Sequence, residues 1–326
     1  MVRSQRTVDT DRGRGGRIGG MAPIMEQRGP AVWRGAEIAD SAEWRIALEP
    51  GHQAELLTAV DAAGGIGPAD LSVPTFPLPS LGPVLTELSS DLLHGRGFGL
   101  LTGVPVDGLT TEQSDLLAVG IGCHVATVMP QGDSVLEHVR DRGVDPAAPT
   151  SRSFQHRAAL GYHSDPYDFV SLLCLRPAMS GGLSTIVSSP AVHNEIVRHH
   201  PDLAEVLYRP WWRDRRSGDG PDSFYTQPVY DLDADGRLRA NYGPDYIRSA
   251  QRGATVPPLS PEQLAAMDML GRLTNDPRFV LGMDLRPGDM QFLNNHVTMH
   301  SRTAFQDHPD PALRRDLIRL WLSARR

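Results

Sequence analysis

The sequence predicts a mainly β protein in which a jelly-roll core is flanked by helices. Strand-like segments dominate the second half of the chain, and long insertions separate them, as is typical of a jelly roll. The chain has no regular strand–helix alternation and no glycine-rich turn that opens a helix, which argues against a doubly wound nucleotide-binding fold. The predicted strands are 135–139, 169–175, 185–188, 279–283, 290–293 and 317–322.

Helices are predicted both before and between these strands. Apolar side chains recur at helical spacing in residues 84–93, and Gly95 and Gly97 end that pattern. The run Thr110-Thr111-Glu112-Gln113 is typical of a helix start. The remaining predicted elements are a short buried strand at 98–102 and helices at 190–199 and 261–274.

The ends of the chain differ from the predicted core. Residues 1–29 are rich in arginine and glycine and lack the apolar region of a secretory signal, so we interpret them as a disordered leader, or as sequence upstream of a start at Met21 or Met25. Residues 30–326 are then expected to form a single domain, with an arginine-rich surface lid at 209–222. A cytoplasmic location is the default expectation.

Composition excludes several classes of function. The net charge of −7 argues against a basic surface that would bind nucleic acid. No apolar run approaches the ~18 residues of a membrane span. All 32 basic residues are arginines, because the sequence contains no lysine, which excludes Schiff-base chemistry and a P-loop. The two cysteines, Cys123 and Cys174, make neither a thiolate zinc site nor a disulfide scaffold. Histidine is therefore the metal ligand to look for.

Two distant segments carry a candidate metal site. His163-Ser164-Asp165 puts an imidazole and a carboxylate at positions i and i+2, which project to the same face of an extended chain, although the tripeptide also suits a turn. Near the C-terminus, His296 or His300 follows a predicted strand and would complete the set. Two histidines and one carboxylate leave metal positions open, as in non-haem iron(II) oxygenases.

A candidate anchor for a chelating cosubstrate follows this site. Arg315 lies at the start of the last predicted strand, which is expected to be buried. An arginine is rarely buried there unless it binds a partner. A guanidinium matches a carboxylate bidentately, so Arg315 fits the distal carboxylate of 2-oxoglutarate. A solvated charge cluster is the alternative, more suitable for Arg314 than for Arg319, which apolar residues flank. The turn at Gly181 and Gly182 could place a hydroxyl beside the same carboxylate.

Taken in order, these motifs resemble the taurine dioxygenase/clavaminate synthase-like family of Fe(II)/2-oxoglutarate-dependent oxygenases. The resemblance covers residues 85–322 and implies a double-stranded β-helix fold. The motifs that carry it are Gly97-Phe98-Gly99-Leu100-Leu101, His163-Ser164-Asp165, Gly181-Gly182-Leu183-Ser184, His300-Ser301-Arg302-Thr303, and Arg315 with Arg319.

The resemblance implies roles for the matched residues. The implied iron(II) ligands are His163, Asp165 and His300, which leaves His296 a supporting position. Arg315 is implied to bind 2-oxoglutarate, assisted by Ser184, where the family usually has threonine, or by Thr185. Candidate substrate residues are Arg319, whose position faces the primary substrate in some members, and Gln131, Tyr162, Trp211 and Trp212.

The implied activity is hydroxylation of an unactivated C–H bond of a small organic substrate, an amino acid or a natural-product intermediate. Dioxygen and 2-oxoglutarate would be consumed, and succinate and carbon dioxide released. Desaturation, epoxidation or another oxidation by the same chemistry stays open, as do a jelly-roll metal protein without oxygenase activity, a zinc hydrolase and a binding module for an acidic partner. Family halogenases lack the carboxylate ligand, so Asp165 implies an oxygenase instead. The lysine-free composition fits secondary metabolism, and a homodimer is compatible with the sequence.

Overall fold

Eight α-helices and seventeen β-strands form within residues 24–143, 155–216 and 221–325, which this computed structural model describes. The helices are α1 (Gly35–Ile38), α2 (Pro50–Ala62), α3 (Leu81–His94), α4 (Thr111–Val125), α5 (Ser189–His199), α6 (Pro201–Leu207), α7 (Pro244–Ala250) and α8 (Pro261–Thr274). The strands are β1 (Arg45–Ala47), β2 (Phe98–Thr102), β3 (Thr127–Met129), β4 (Leu136–Val139), β5 (Leu160–His163), β6 (Phe169–Arg176), β7 (Ser180–Gly181), β8 (Ser184–Ser188), β9 (Trp211–Asp214), β10 (Phe224–Gln227), β11 (Tyr230–Leu232), β12 (Leu238–Ala240), β13 (Leu281–Met283), β14 (Met290–Asn294), β15 (Thr298–Arg302), β16 (Phe305–Gln306) and β17 (Asp316–Ser323).

Two sheets form the core. The larger has the order β1-β2-β14-β6-β17-β3, with β4 also paired with β17, and the smaller has the order β13-β8-β15-β5. Only the β1–β2 pair is parallel among the pairs of these two sheets in the described residues. One hydrophobic cluster joins Phe98 and Leu293 of the larger sheet to Ile186 and Leu281 of the smaller. The predicted jelly-roll core with flanking helices is confirmed.

Helices pack against both sheets and complete the hydrophobic core. Residues of α2, α3 and α4 share a cluster with the larger sheet, and those of α5, α6 and α8 share one with the smaller sheet. The predicted start of α4 is confirmed, because the Gln113 N–H donates to Thr110 Oγ1 and the Thr110 N–H donates to Gln113 Oε1. No helix in the described part of the chain is long and apolar enough to cross a membrane.

The predicted elements differ from the structure in a few places. The strand at 98–102 and the helix at 261–274 coincide with β2 and α8. The prediction for 279–283 begins too early, because Phe279 is buried in the helical cluster and only residues from Leu281 on are strand. The sequence does not predict β5 and β15, whose polar residues break the apolar pattern. Those two strands carry the site.

Two further predictions are corrected. The segment 209–222 is not simply a surface lid: its residues Trp211–Asp214 form β9, which pairs antiparallel with β10, and residues 217–220 lie outside the described residues. The predicted disordered leader, residues 1–29, includes residues that pack on the domain. Residues 1–23 lie outside the described part, but the Gln27 N–H donates to Asn194 Oδ1 at 2.7 Å, so the chain already packs on α5 there.

Candidate active site

The imidazoles of His163 and His300 meet the carboxylate of Asp165, with one potential ligand atom from each within 4.8 Å of the others. Nε2 of His163 lies 4.0 Å from Asp165 Oδ1, and Nε2 of His300 lies 4.0 Å from Oδ2. Among the described residues this is the only such group of three. The structure brings together the three predicted ligands and leaves His296 outside the group.

The β-sheet ladder brings the two histidines together. His163 ends β5, and its register partner on the adjacent strand β15 is His300. The ring centroids are 4.2 Å apart. The Nδ1–H of His163 donates to the Gly161 carbonyl oxygen at 2.9 Å, which turns Nε2 toward the carboxylate. Neighbouring strands thus fix two ligands that are 137 positions apart in the sequence.

Charge in the group favours a bound cation. Burial opposes ionisation of Asp165, but Arg319, the two histidines and the Trp321 N–H together hold the pKa of that carboxyl below its usual value. Burial, with the neighbouring His163, lowers the pKa of His300 to about 3, so its imidazole is neutral and offers a lone pair. Two imidazoles and a carboxylate are the donor set of non-haem iron(II) oxygenases, and the residues present fit that ion.

Asn295 holds the loop that carries Asp165. Its Oδ1 accepts from the Asp165 N–H at 3.1 Å, and its Nδ2 donates to the Tyr167 carbonyl at 2.9 Å. The next residue, His296, contacts Asp168 Oδ1 through Nε2 at 2.8 Å. His296 therefore takes a supporting position, because its Nε2 is directed at Asp168.

The side chain of Asp165 is also fixed from the opposite sheet. The Trp321 Nε1–H on β17 donates to Asp165 Oδ2 at 2.9 Å. The ring of Trp321 lies 5.4 Å from that of Tyr167, centroid to centroid. A carboxylate held by the larger sheet and two histidines held by the smaller sheet make a site between the two sheets.

An inner cavity of about 120 Å³ adjoins the three ligands. Apolar side chains such as Leu172 and Leu317 line it, together with Ser184. Four arginines also line it, and two of them are buried: Arg302 is 6% exposed and Arg315 is 5% exposed. Buried arginines are rare without an anionic partner.

The two arginines flank one aromatic ring. Their guanidinium carbons lie 4.7 Å (Arg302) and 5.2 Å (Arg315) from the centroid of Phe305. Arg315 Nη1 donates to the Val139 carbonyl, and Arg302 Nη2 donates to the His156 carbonyl. Nε and Nη1 of Arg302 are buried without a hydrogen-bond partner among the described residues. Burial lowers the pKa of both arginines, for Arg302 to about 10, with Arg315 adding repulsion.

The Gly181–Gly182 turn approaches these arginines closely. Both glycines have positive φ, +72° and +73°. A Cβ at Gly181 would lie 2.2 Å from the Ala304 carbonyl oxygen, and one at Gly182 would lie 3.5 Å from Arg315 Nε. Glycine is therefore required at the first position by space as well as by backbone conformation.

The hydroxyls of Ser184 and Thr185 face different surroundings, because successive residues of a strand point to opposite faces. Ser184 lines the inner cavity, where its Oγ donates to Gln291 Oε1 at 3.1 Å. Thr185 does not line it and hydrogen-bonds the buried Tyr162. Of the two predicted hydroxyls, Ser184 is the one on the cavity wall.

An outer cavity of about 610 Å³ shares six wall residues with the inner one, namely Asp165, Arg216, Gly243, Tyr246, Arg319 and Trp321. Arg319 and Gln131 both line it, as the sequence predicts for substrate residues. Arg319 Nε donates to Gln131 Oε1 at 3.0 Å, and Gln131 Nε2 donates back to the Arg319 carbonyl at 3.0 Å.

Three predicted substrate residues lie elsewhere. Trp211 is fully buried, and its N–H donates to the Val206 carbonyl, so it supports β9. Tyr162 packs in the same hydrophobic cluster. Trp212 is half-buried on the β9–β10 pair, where it lies opposite Thr226, and it lines neither cavity. The two tryptophans are part of a strand and not of a substrate-covering lid.

The sequence analysis assigns no role to three residues that the site uses. Arg302 was visible in the His300-Ser301-Arg302-Thr303 motif, and its place two residues after a ligand on the same strand is the signal. Asn295 adjoins the competing His296. Arg213, on the wall of the outer cavity, lies in the segment predicted to be a lid, and no local pattern marks it, because its position depends on the pairing of β9 with β10.

Comparison with known proteins agrees with this geometry. Residues 59–321 match the family model described as taurine catabolism dioxygenase TauD, TfdA family. The FR-33289 synthase of Streptomyces rubellomurinus (strain ATCC 31215) is 30% identical over 311 residues, 90% of this chain and 89% of that protein. A uridine-5'-phosphate dioxygenase of an Amycolatopsis species is 34% identical over 149 residues, 45% of this chain and 52% of that protein.

Solved structures share the fold. An asparagine oxygenase in complex with Fe(II), 2S,3S-3-hydroxyasparagine and succinate superposes with a TM-score of 0.67 at 18% identity, covering 86% of this chain and 94% of that one. The non-haem iron oxygenase OrfP in complex with Fe and alpha-ketoglutaric acid gives a TM-score of 0.64 at 16% identity, with the same coverage. The chain therefore belongs to the taurine catabolism dioxygenase TauD, TfdA family and is an Fe(II)- and 2-oxoglutarate-dependent dioxygenase.

Proposed function

We propose that this enzyme hydroxylates an unactivated C–H bond of a small organic substrate bound in the outer cavity. His163, Asp165 and His300 hold iron(II), and the inner cavity holds 2-oxoglutarate. The observation that carries the proposal is the convergence of three metal-ligand side chains and two buried arginines on one cavity of about 120 Å³.

Arg315 and Arg302 bind the distal carboxylate of 2-oxoglutarate together. Each is at least nine-tenths buried, and Arg302 keeps two donor nitrogens without a partner among the described residues. A carboxylate placed between the two guanidiniums relieves their repulsion and satisfies those donors. Ser184 adds a hydroxyl on the same wall.

Iron(II) and 2-oxoglutarate, when bound, supply the oxidative chemistry that consumes dioxygen and releases succinate and carbon dioxide. The chain itself binds the metal and the cosubstrate, orients them, and excludes water from the inner cavity. Trp321 fixes the Asp165 carboxylate, and Leu172 and Leu317 keep the inner cavity apolar. A dry wall strengthens the ionic contacts to the cosubstrate. The outer cavity opens onto the same carboxylate, so a substrate there reaches the metal side of the site.

The relatives support a small natural-product substrate. One of them is named as the synthase of FR-33289, and another as a dioxygenase of uridine-5'-phosphate. The outer cavity, about 610 Å³, is of the size that small-molecule sites have.

The test is substrate-stimulated turnover. The iron-loaded enzyme is incubated with 2-oxoglutarate, dioxygen and a library of amino acids, nucleotides and other small acids, and succinate is measured with the mass of each product. We expect one class to raise succinate release and to gain one oxygen atom. Loss of two hydrogens would assign desaturation instead. Hydrolysis of a library member by the zinc-loaded protein, with no succinate in any iron-loaded reaction, would contradict the proposal.

A further inference from the structure

The wall of the outer cavity carries four arginines, and three of them come from one short segment at the end of β9. These are Arg213, Arg215 and Arg216, and the fourth is Arg319 on β17. Arg216 and Arg319 also line the inner cavity, whereas Arg213 and Arg215 line only the outer one, where the iron and cosubstrate chemistry does not use them.

Arg213 is the buried member of the group. It is 4% exposed, and its Nη2 donates to the carbonyls of Pro228 and Asn241. Nε is buried without a partner among the described residues. Nη1 also has no hydrogen bond within the described part, and it lies 3.5 Å from the Cβ position of Gly243, on the same wall. Among the described residues, only carbonyl oxygens accept hydrogen bonds from this buried guanidinium. Its remaining N–H groups can therefore bind an anion in the cavity.

The carboxylates of the same wall already have cationic neighbours. Asp214 Oδ2 accepts from Arg252 Nε at 2.8 Å, and Glu137 pairs with Arg142. Asp165 is the metal ligand. Arg213 and Arg215 have no carboxylate partner among the described residues, so these two guanidiniums leave positive charge on the wall of the outer cavity.

The backbone is arranged to present these arginines. Arg216 has a φ of +55°, which is unusual for a residue with a side chain, and Asp214 Oδ1 accepts its N–H at 2.7 Å. Asp214 is in turn held by Ser249 and Arg252, on α7 and just after it. Arg215 stacks on Tyr225 of β10, 4.3 Å from the ring centroid. Contacts on both sides thus fix the turn.

We propose, on the basis of the function proposed above, that the primary substrate carries a tetrahedral dianion, a phosphate monoester or a phosphonate, which the β9 arginines bind. A planar carboxylate has two oxygens and one charge, and a single guanidinium fork satisfies it. A phosphoryl group has three acceptor oxygens and nearly two charges, which matches several guanidiniums around one cavity.

The experiment compares three methyl-bearing anions on the iron(II)- and 2-oxoglutarate-loaded enzyme under anaerobic, mildly alkaline conditions. Methylphosphonate, methanesulfonate and acetate differ in charge and shape, and calorimetry gives the affinity of each. We expect methylphosphonate to bind at least ~10-fold more tightly than either of the others, because each charge-assisted hydrogen bond typically adds enough for that factor.

Arg213→Gln and Arg215→Gln should each weaken methylphosphonate by at least ~10-fold. Arg209→Gln, an exposed change on the preceding segment, should leave its affinity unchanged. Arg215 is exposed, so its variant remains informative if Arg213→Gln fails to fold. The absorption band of the iron–2-oxoglutarate complex, followed in the same samples, reports the proposed function separately. An intact band with equal affinity for the three anions, or with unchanged methylphosphonate affinity in the folded variants, would overturn the proposal.

Discussion

The inner and outer cavities share six wall residues, among them Asp165, Arg319 and Trp321, but the chain builds them in different ways. Strands of the two core sheets carry most of the inner wall, to which α7 and Arg216 also contribute, and β15, which holds His300, has a paired neighbour on each side. The β9–β10 pair, which supplies much of the outer wall, is a separate two-stranded sheet supported by α7. In the proposed function, the metal and cosubstrate site therefore lies mainly on the core strands, and substrate recognition depends largely on a peripheral pair of strands.

This difference predicts how variants of the two cavities should behave. A site on paired core strands tolerates little change, because the neighbouring strands fix both histidine ligands and hydrogen bonds fix the loop that carries Asp165. A peripheral strand pair can change its side chains without disturbing the core. We therefore expect variants of the inner cavity to abolish turnover and variants of the outer cavity to change which substrate is used.

The largest effect is expected for Asp165→Ala. The variant loses the only charged ligand of the predicted iron site, and changes that merely disturb residues behind a ligand already cost ~10–100-fold in metal affinity or activity. Iron(II) binding by calorimetry and succinate release should both fall by more than that. Asp202→Asn, an exposed change at the start of α6, serves as the control. Retention of iron-dependent turnover in Asp165→Ala would show that the metal lies elsewhere.

The next effect separates Arg315, just before β17, from Arg319 within that strand. Arg315→Ala and Arg302→Gln should each weaken 2-oxoglutarate by at least ~10-fold, since each removes a charged partner from the buried carboxylate. Arg319→Ala should leave 2-oxoglutarate binding nearly unchanged and weaken the primary substrate. Anaerobic titration of 2-oxoglutarate into each iron-loaded variant measures this difference.

The opposite pattern in that titration would contradict the assignment of the two cavities. If Arg319→Ala no longer bound 2-oxoglutarate while Arg315→Ala still did, 2-oxoglutarate would bind in the outer cavity. Iron(II) affinity in the absence of 2-oxoglutarate is the internal control for Arg315→Ala and Arg302→Gln, because neither arginine is a predicted ligand.

A smaller effect is expected from the loop that carries Asp165. Asn295→Ala removes two hydrogen bonds to that loop, each worth roughly 0.5–1.5 kcal/mol. We expect iron(II) affinity to fall by ~10-fold and Tm to decrease. Asn275→Ala, which removes one exposed hydrogen bond after α8, should leave iron binding unchanged. Equal iron affinity in wild type and Asn295→Ala would show that the loop holds its shape without this contact.

The smallest effect concerns a charged network beside the start of β17. His138 lies between Asp115 and Asp316, at 3.0 Å and 2.8 Å, and these hydrogen bonds raise its pKa from 6.5 to about 9. Arg140 and Arg176 also face Asp316. The stabilisation is fully present below the unfolded pKa and is lost as the pH rises through about 9.

Thermal unfolding of His138→Gln tests this network. The Tm difference from wild type should be largest near neutral and lower pH and should shrink as the pH rises through about 9. His199→Gln, at the exposed end of α5, should show no such trend. A difference that stays constant across this range would mean that the His138 contacts do not depend on its charge.

The sequence predicts the inner cavity far better than the outer one. His163, Asp165, His300 and Arg315 lie in short motifs whose residue types match their chemistry. The strands that join those motifs, β5 and β15, escape prediction because functional polar residues replace the apolar alternation.

The outer cavity depends on long-range pairing that local sequence does not reveal. Trp211 and Trp212 suggest a substrate-binding surface, but one is fully buried and neither lines a cavity. Arg213 lies on the wall only because β9 pairs with β10 and α7 packs on β9. Arg302 lies near Arg315 only in the folded chain, where both guanidiniums pack on the ring of Phe305.

An anaerobic crystal structure with iron(II) and 2-oxoglutarate, with anomalous data collected at the iron edge, tests the central claim most directly. We expect one anomalous peak bonded to His163, Asp165 and His300, with the distal carboxylate of 2-oxoglutarate between Arg302 and Arg315. A peak on His296 and Asp168, or a 2-oxoglutarate carboxylate held by Arg319, would contradict the account.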